Sequence, residues 1–358
     1  MVNEPTAEQR LQPLLGRINT VDSAVGERAR AYIDTLTKPP GSLGRLEALA
    51  IQLSAITGQL APAVSPPGVA VFAADHGVAE EGVSAFPQEV TAQMVTNFAQ
   101  GGAAINVFAR QIGAQVEVID VGVASSLSLP GVVDAKVRAG TANMVQEDAM
   151  GREEALSAIS VGADSVGRLA EKGAKSIIVG EMGIANTTAS SAMLAAFTQA
   201  PVATVVGAGT GINSAQQAHK VAVIEQALHA RQADSNDPLD VLRKLGGLEI
   251  AAMAGAYLAA AAHRLPAIVD GFIATVAALT ACRLCPEVRG YLVFGHRSEE
   301  PGHATALEAL QAEPLLALGM RLGEGSGAAL AFPLVQAAAA MLKEMATFTQ
   351  AGVSSNTA

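Results

Sequence analysis

The sequence predicts an α/β fold: a doubly wound, mostly parallel sheet with helices on both faces. Three observations carry that reading. From Val69 onward, short apolar runs alternate with helix-patterned stretches, the rhythm of βαβ units. The runs are apolar throughout rather than alternating, as in strands buried on both faces. Nearly every run ends in a glycine-containing loop, and sheets of this class hold ligands at the carboxyl ends of their strands.

In chain order, residues up to about Gly58 read as helices, because Ser23–Thr35 and Leu43–Ile56 space apolar residues three and four apart. Between them Lys38-Pro39-Pro40-Gly41-Ser42-Leu43-Gly44 is a rigid turn with one cation, which by itself reads as a linker with a helix cap. The proline-rich stretch Gln59–Gly68 marks a boundary. Val69–Ala73 then predicts a strand closed by Asp75-His76-Gly77, followed by a helix over Val90–Ala109. Further strands are predicted at Val116–Val121, Ala174–Val179, Val202–Val206, Ala267–Val269 and Tyr291–Phe294. After Phe332 the chain reads as helical to about Gln350.

Composition narrows the function. The 358 residues are 50% hydrophobic and 16% charged, which suits a well-buried globular protein. Aromatics are only 3% and the net charge is −10, with no basic block; nucleic acid is excluded as a partner, since phosphate binding relies on clustered Lys and Arg. The two cysteines, Cys282 and Cys285, imply no disulfide framework and fit a reducing compartment. The polar N-terminus does not read as a signal peptide. Ile250–Ala262, the longest apolar stretch, is too short to span a bilayer. A cytoplasmic protein without membrane attachment is expected.

The chemistry concentrates in a few loops. Arg321–Gly327 reads RLGEGSG and sets one carboxylate, Glu324, between glycines ahead of an apolar run. Such a group is either a general base in a cleft, where burial brings its pKa toward working pH, or a solvated residue in a helix-initiating turn. Gly180–Thr188 follows a predicted strand and precedes a helix over Ala189–Phe197. Its backbone N–H groups, with Asn186 and Thr187, suit a phosphate, although simple helix capping accounts for the same residues. Gly207-Ala208-Gly209-Thr210-Gly211 is a partial dinucleotide fingerprint, lacking the spacing and the acidic partner of the full motif. Lys220 is either a phosphate ligand or a surface lysine. His76, His296 and His303 lack metal-ligand spacing. Cys282-x-x-Cys285 sits in an apolar helical stretch, as a buried pair rather than a redox or zinc site.

Taken together, KPPGSLGRLE (38–47), ADHGV (74–78), EGVS (81–84), VIDVG (118–122), GEMGIANTT (180–188), DGF (270–272) and RLGEGSGAALA (321–331) resemble one family across nearly the whole chain. That family is nicotinate-nucleotide–dimethylbenzimidazole phosphoribosyltransferase, a glycosyltransferase of cobalamin nucleotide-loop assembly. The resemblance implies transfer of 5-phosphoribose from nicotinate mononucleotide to 5,6-dimethylbenzimidazole, giving α-ribazole 5′-phosphate and nicotinate, with no cofactor or metal. It implies an α/β catalytic domain (68–331), a small helical domain from both chain ends (1–60 with 332–358), and a homodimer. On that pattern Glu324 is the base and Glu181 lies near the ribose. Gly183, Asn186, Thr187, Gly207, Gly209 and Lys220 hold the phosphate, and Ser84, Gln88 and Leu322 wall the benzimidazole pocket. The segment Lys38–Glu47 receives no chemical step. The competing expectation is an NAD-dependent oxidoreductase built on Gly207–Gly211; a non-catalytic nucleotide-binding protein is the third.

Overall fold

The computed structural model describes residues 7–207, 209, 211 and 213–354. Among these, β1 (Pro67–Ala74), β2 (Gln115–Gly122), β3 (Val132–Asp134), β4 (Ser176–Met182), β5 (Ala267–Val269) and β6 (Leu292–Phe294) form a six-stranded sheet. Every pairing is parallel and the order is β3-β2-β1-β4-β5-β6. The order reverses between β1 and β4, which opens a crevice at their carboxyl ends.

Both faces are buried, which is why the strands read as continuous apolar runs. Ala70, Phe72 and Ala74 of β1 join Ile177 and Val179 of β4 in a core under helices Arg152–Glu171, Asn186–Thr198, Leu248–Ala262 and Phe272–Leu284. Val69, Val71 and Ala73 point the other way with Ile178, into a core shared with Ser23–Ile33, Arg45–Thr57, Glu89–Gln100, Ala104–Gln111 and Ser326–Glu344. Ser23–Ile33 and Arg45–Thr57 therefore pack on the last long helix and share its core with the sheet, whereas Ala7–Leu15 packs on Arg152–Glu171 and Leu248–Ala262 on the other face. Ser326–Glu344 is long and apolar enough to cross a membrane by length and composition, but most of it is buried in this core.

Three expectations change. Val202–Val206 is not a strand: Val202–Val205 is one helical turn after Pro201. Its carbonyl groups find side-chain partners instead of a sheet neighbour, Val205 from Ser191 Oγ at 3.0 Å and Val206 from Gln217 Nε2 at 2.8 Å. The predicted helix over Val90–Ala109 is two helices, Glu89–Gln100 and Ala104–Gln111, because the chain turns at Gly101-Gly102. The last helix begins inside the glycine-rich turn, at Ser326, and ends at Glu344; a short turn Phe348–Ala351 follows.

Candidate active site

Two loops far apart in sequence interlock above the end of β4. A side-chain carbon placed on Gly180 would lie 2.1 Å from the Glu324 carbonyl oxygen, and one on Gly323 would lie 2.3 Å from Glu181 Oε1. Each acidic residue thus rests on the other's glycine, and only glycine permits that approach. Gly323, Glu324 and Gly325 all have positive φ, 90°, 64° and 87°. For Glu324 such a backbone costs about 1–3 kcal/mol. Asp270, at the end of β5, secures the turn: its carboxylate accepts the Gly325 N–H at 3.2 Å and the Ala328 N–H at 2.8 Å.

Both carboxyl groups are buried and both titrate high. Burial pushes Glu181 up to about 8; the Glu249 and Asp270 carboxylates add to this, while the Asn186 amide and the Glu324 N–H oppose it. Asn186 Nδ2 donates to Glu181 Oε2. Glu324 is also raised by burial, against the Ile105 N–H that its Oε2 accepts at 3.3 Å. Ile105 lies in the first turn of Ala104–Gln111, so the helix break at Gly101-Gly102 creates the N-terminus that meets this carboxylate.

The two groups line a cleft of about 450 Å³. Its apolar lining comes from Phe86, Val90, Met94, Met182 and Leu322, among others. Gly183, Asn186, Thr187 and Gly209 line both this cleft and a small adjoining recess bounded by Ser84, Thr187 and Lys220. Lys220 is buried, not solvated: its Nζ donates to Thr187 Oγ1 at 2.8 Å. Burial lowers it to about 8, with Glu300 acting in the opposite direction. Arg321 Nη1 donates to the Gly209 carbonyl at 2.8 Å and so ties this recess to the Glu324 turn.

The structure therefore brings together Glu181, Glu324, Gly183, Asn186, Thr187, Gly209 and Lys220. Gly207 backs against the Glu300 carboxylate; Ala208 and Thr210 of the same turn lie outside the described residues. Leu322 is on the cleft wall and Ser84 in the recess. Gln88 is not on the cleft wall: its amide donates back to the His76 carbonyl at 3.4 Å. Phe86, within the stretch Ser84–Gln88 expected at the benzimidazole pocket, lines the cleft, whereas Val90, Met94, Met182, His296, Ser298 and Glu300 were not anticipated there. Their sequence signals were only helix periodicity and the loop after β6.

The remaining polar motifs are dispersed. His76 pairs with Glu249, while His303 accepts the Ser298 N–H at 2.8 Å and lies 3.0 Å from Thr275 Oγ1. Burial, with His296 nearby, pushes His303 down to about 3. Cys282 and Cys285 are free thiols that burial raises, to about 12 and about 11. Lys38 and Glu47 form a buried ion pair at 2.9 Å inside the KPPGSLGRLE segment.

The dehydrogenase alternative fails on local structure, because Gly207–Gly211 follows a helical turn rather than a strand of the sheet. Comparison with known proteins points elsewhere. A family model described as phosphoribosyltransferase matches residues 18–353. The nicotinate-nucleotide–dimethylbenzimidazole phosphoribosyltransferase of Halalkalibacterium halodurans is 52% identical over 346 residues, 97% of either chain. That of Azotobacter vinelandii is 57% identical over 320 residues, 89% of this chain and 91% of the relative. The crystal structure of CobT from Thermus thermophilus superposes with a TM-score of 0.90 at 48% identity, covering 92% of this chain and 99% of that one. With its parallel sheet, its interlocked carboxyl groups and these likenesses over nearly its whole length, the chain belongs to the nicotinate-nucleotide–dimethylbenzimidazole phosphoribosyltransferase family.

Proposed function

We propose that this transferase moves 5-phosphoribose from nicotinate mononucleotide to 5,6-dimethylbenzimidazole, releasing nicotinate and forming α-ribazole 5′-phosphate. The observation that carries the reading is the set of groups gathered around one cleft. A buried lysine and a glycine-rich loop bound a recess that shares Gly183, Asn186, Thr187 and Gly209 with the cleft, and two interlocked carboxyl groups and several apolar side chains line the cleft itself.

Each part answers a chemical need. The phosphate takes the Lys220, Thr187 and Gly183–Asn186 end, where N–H groups and one cation compensate the acidic net charge. A phosphate beside Lys220 favours its charged form and opposes the effect of burial. The flat apolar base lies against Met94, Met182 and Leu322. Its unprotonated nitrogen attacks the anomeric carbon and the bond to nicotinate breaks. The released electron pair neutralises the pyridinium nitrogen, so this leaving group departs without acid assistance.

Attack makes the opposite N–H of the benzimidazole acidic, and Glu324 accepts that proton. Its raised pKa makes it a better acceptor than an ordinary carboxylate. Glu181 lies toward the ribose. Burial holds it neutral near pH 7 in the empty cleft, and positive charge developing on the ribose favours its ionised form. We also propose a homodimer, a cytoplasmic location, and the division into an α/β catalytic part and a helical part drawn from both chain ends. Incubating the protein with both substrates and following nicotinate release tests the reaction; no nicotinate above a substrate-only control overturns it.

A further inference from the structure

The Asp75-His76-Gly77 turn at the end of β1 has no part in the chemistry above, yet it lies directly beneath the loop that does. His76 Nε2 lies 2.6 Å from Glu249 Oε1, and both side chains are buried to within 1% exposure. The pair fits only because two neighbours are glycines. A carbon added to Gly183 would lie 3.3 Å from both His76 Nε2 and Glu249 Oε1 and 2.4 Å from the Ala74 carbonyl oxygen. One added to Gly247 would lie 2.3 Å from His76 Cε1. The loop wall of the cleft therefore rests on an imidazole–carboxylate pair. The next residue of that wall is held from the neighbouring helix: the Thr91 hydroxyl accepts the Ile184 N–H at 3.1 Å.

We propose that His76 and Glu249 are positioning residues for the transfer reaction, with two effects on the cleft. They set the height of the Gly183–Asn186 loop, and the His76 cation offsets the Glu249 carboxylate, which acts on Glu181. The proposal rests on the reading of Glu181 and this loop given above.

The charges around the pair make its balance matter. Asp75 faces it from β1 and Glu249 from Leu248–Ala262, while Glu181 on β4 feels both Glu249 and Asp270. Burial by itself would lower His76, but Glu249 and Asp75 outweigh it and raise the imidazole. A protonated His76 makes the pair neutral overall. Without it, Glu249 would stand as an uncompensated buried carboxylate beside a second one.

The test uses His76→Gln, Glu249→Gln and the double variant, in the full chain. Glutamine keeps a donor toward Glu249 while removing the cation. In His76→Gln the pH limb of kcat that reports Glu181 should move alkaline, by about one unit or more. In Glu249→Gln it should move acid, and in the double variant it should return toward wild type. Both single variants should also raise KM for the mononucleotide, because the Gly183–Asn186 loop rests on the pair. A merely structural pair would not produce opposite shifts that cancel. Folded single variants with unmoved pH profiles and KM overturn the proposal. Should the variants fail to fold, ¹⁵N-histidine spectra of the wild-type protein decide it. A His76 ring that takes its second proton at a higher pH than an ordinary histidine supports the proposal, and a ring that stays neutral overturns it. Those spectra do not depend on the substrate, so they distinguish failure here from absence of nicotinate release.

Discussion

The two ends of the cleft solve opposite electrostatic problems with the same means. At the carboxyl end, Glu181 and Glu324 are buried near Asp270, with Glu249 also acting on Glu181, so both lie above the ordinary carboxylate range. At the phosphate end, Lys220 is buried with one hydroxyl partner and Glu300 at hand, and its charged form is disfavoured. Burial thus works against the charged form at both ends, and a cationic sugar or an anionic phosphate works in its favour. The difference teaches where binding ends and catalysis begins: the lysine meets a group that stays charged throughout, whereas the carboxyl groups meet charge that appears only during reaction.

The largest expected effect breaks the carboxyl end. Glu324→Gln should fold, because the change is nearly isosteric, and should bind both substrates, but kcat should fall by about 10²–10⁴. Nicotinate release and calorimetry together check this; turnover near wild type would remove Glu324 from its role. Next, Lys220→Ala should raise KM for the mononucleotide by a factor corresponding to roughly 1.5–3 kcal/mol while changing kcat less. In the wild type the same KM should rise above about pH 8, as the lysine loses its proton. A KM equal to wild type in the variant would erase the contrast between the two ends.

A third prediction concerns stability. The folded pKa of Glu181 is about 8 against a usual 4.5, so the folded state binds more protons than the unfolded state between those values. Stability therefore falls as pH rises through that window. Glu181→Gln should flatten the decline and leave the variant with the higher Tm at pH 8, though with lower turnover. Equal slopes of Tm against pH in both proteins would contradict it. The smallest effect belongs to the apolar wall. Leu322 is 57% exposed, so Leu322→Ala should weaken binding of the benzimidazole by about 1 kcal/mol or less, read as its KM, with the mononucleotide KM unchanged.

Much of the fold was legible because strands buried on both faces leave continuous apolar runs, and β1, β2, β4, β5 and β6 all do. Val202–Val206 has the same composition but is a helical turn whose carbonyl groups are met by the side chains of Ser191 and Gln217 instead of by a neighbouring strand. The three-residue β3 carries no pattern of its own. In the site, Gly180-Glu181 and Gly323-Glu324 stood out as acidic residues beside glycine. That each glycine accommodates the other's acid is a tertiary fact with no linear trace. Most of the apolar wall was hidden for a similar reason. Val90 and Met94 read as ordinary helix positions, and only the break at Gly101-Gly102 brings the Ile105 N–H to Glu324.

The interlock of Gly180 with Glu324 also sets an order of events during synthesis. All six strands are complete once Phe294 has been made, so a nascent chain at that stage holds the whole sheet and half of the carboxyl pair. The base arrives later, on the turn that starts the last long helix. That helix packs on Arg45–Thr57, made near the very beginning of the chain. Closing the site is thus coupled to joining the first-made and last-made segments, a long-range contact of the kind that forms late. A chain stalled after β6 lacks both Glu324 and the helix that covers one face of the sheet, so it should be chemically silent. Arrested ribosome–nascent chain complexes released at successive lengths would show this as nicotinate release that begins only after Ser326–Glu344 has emerged.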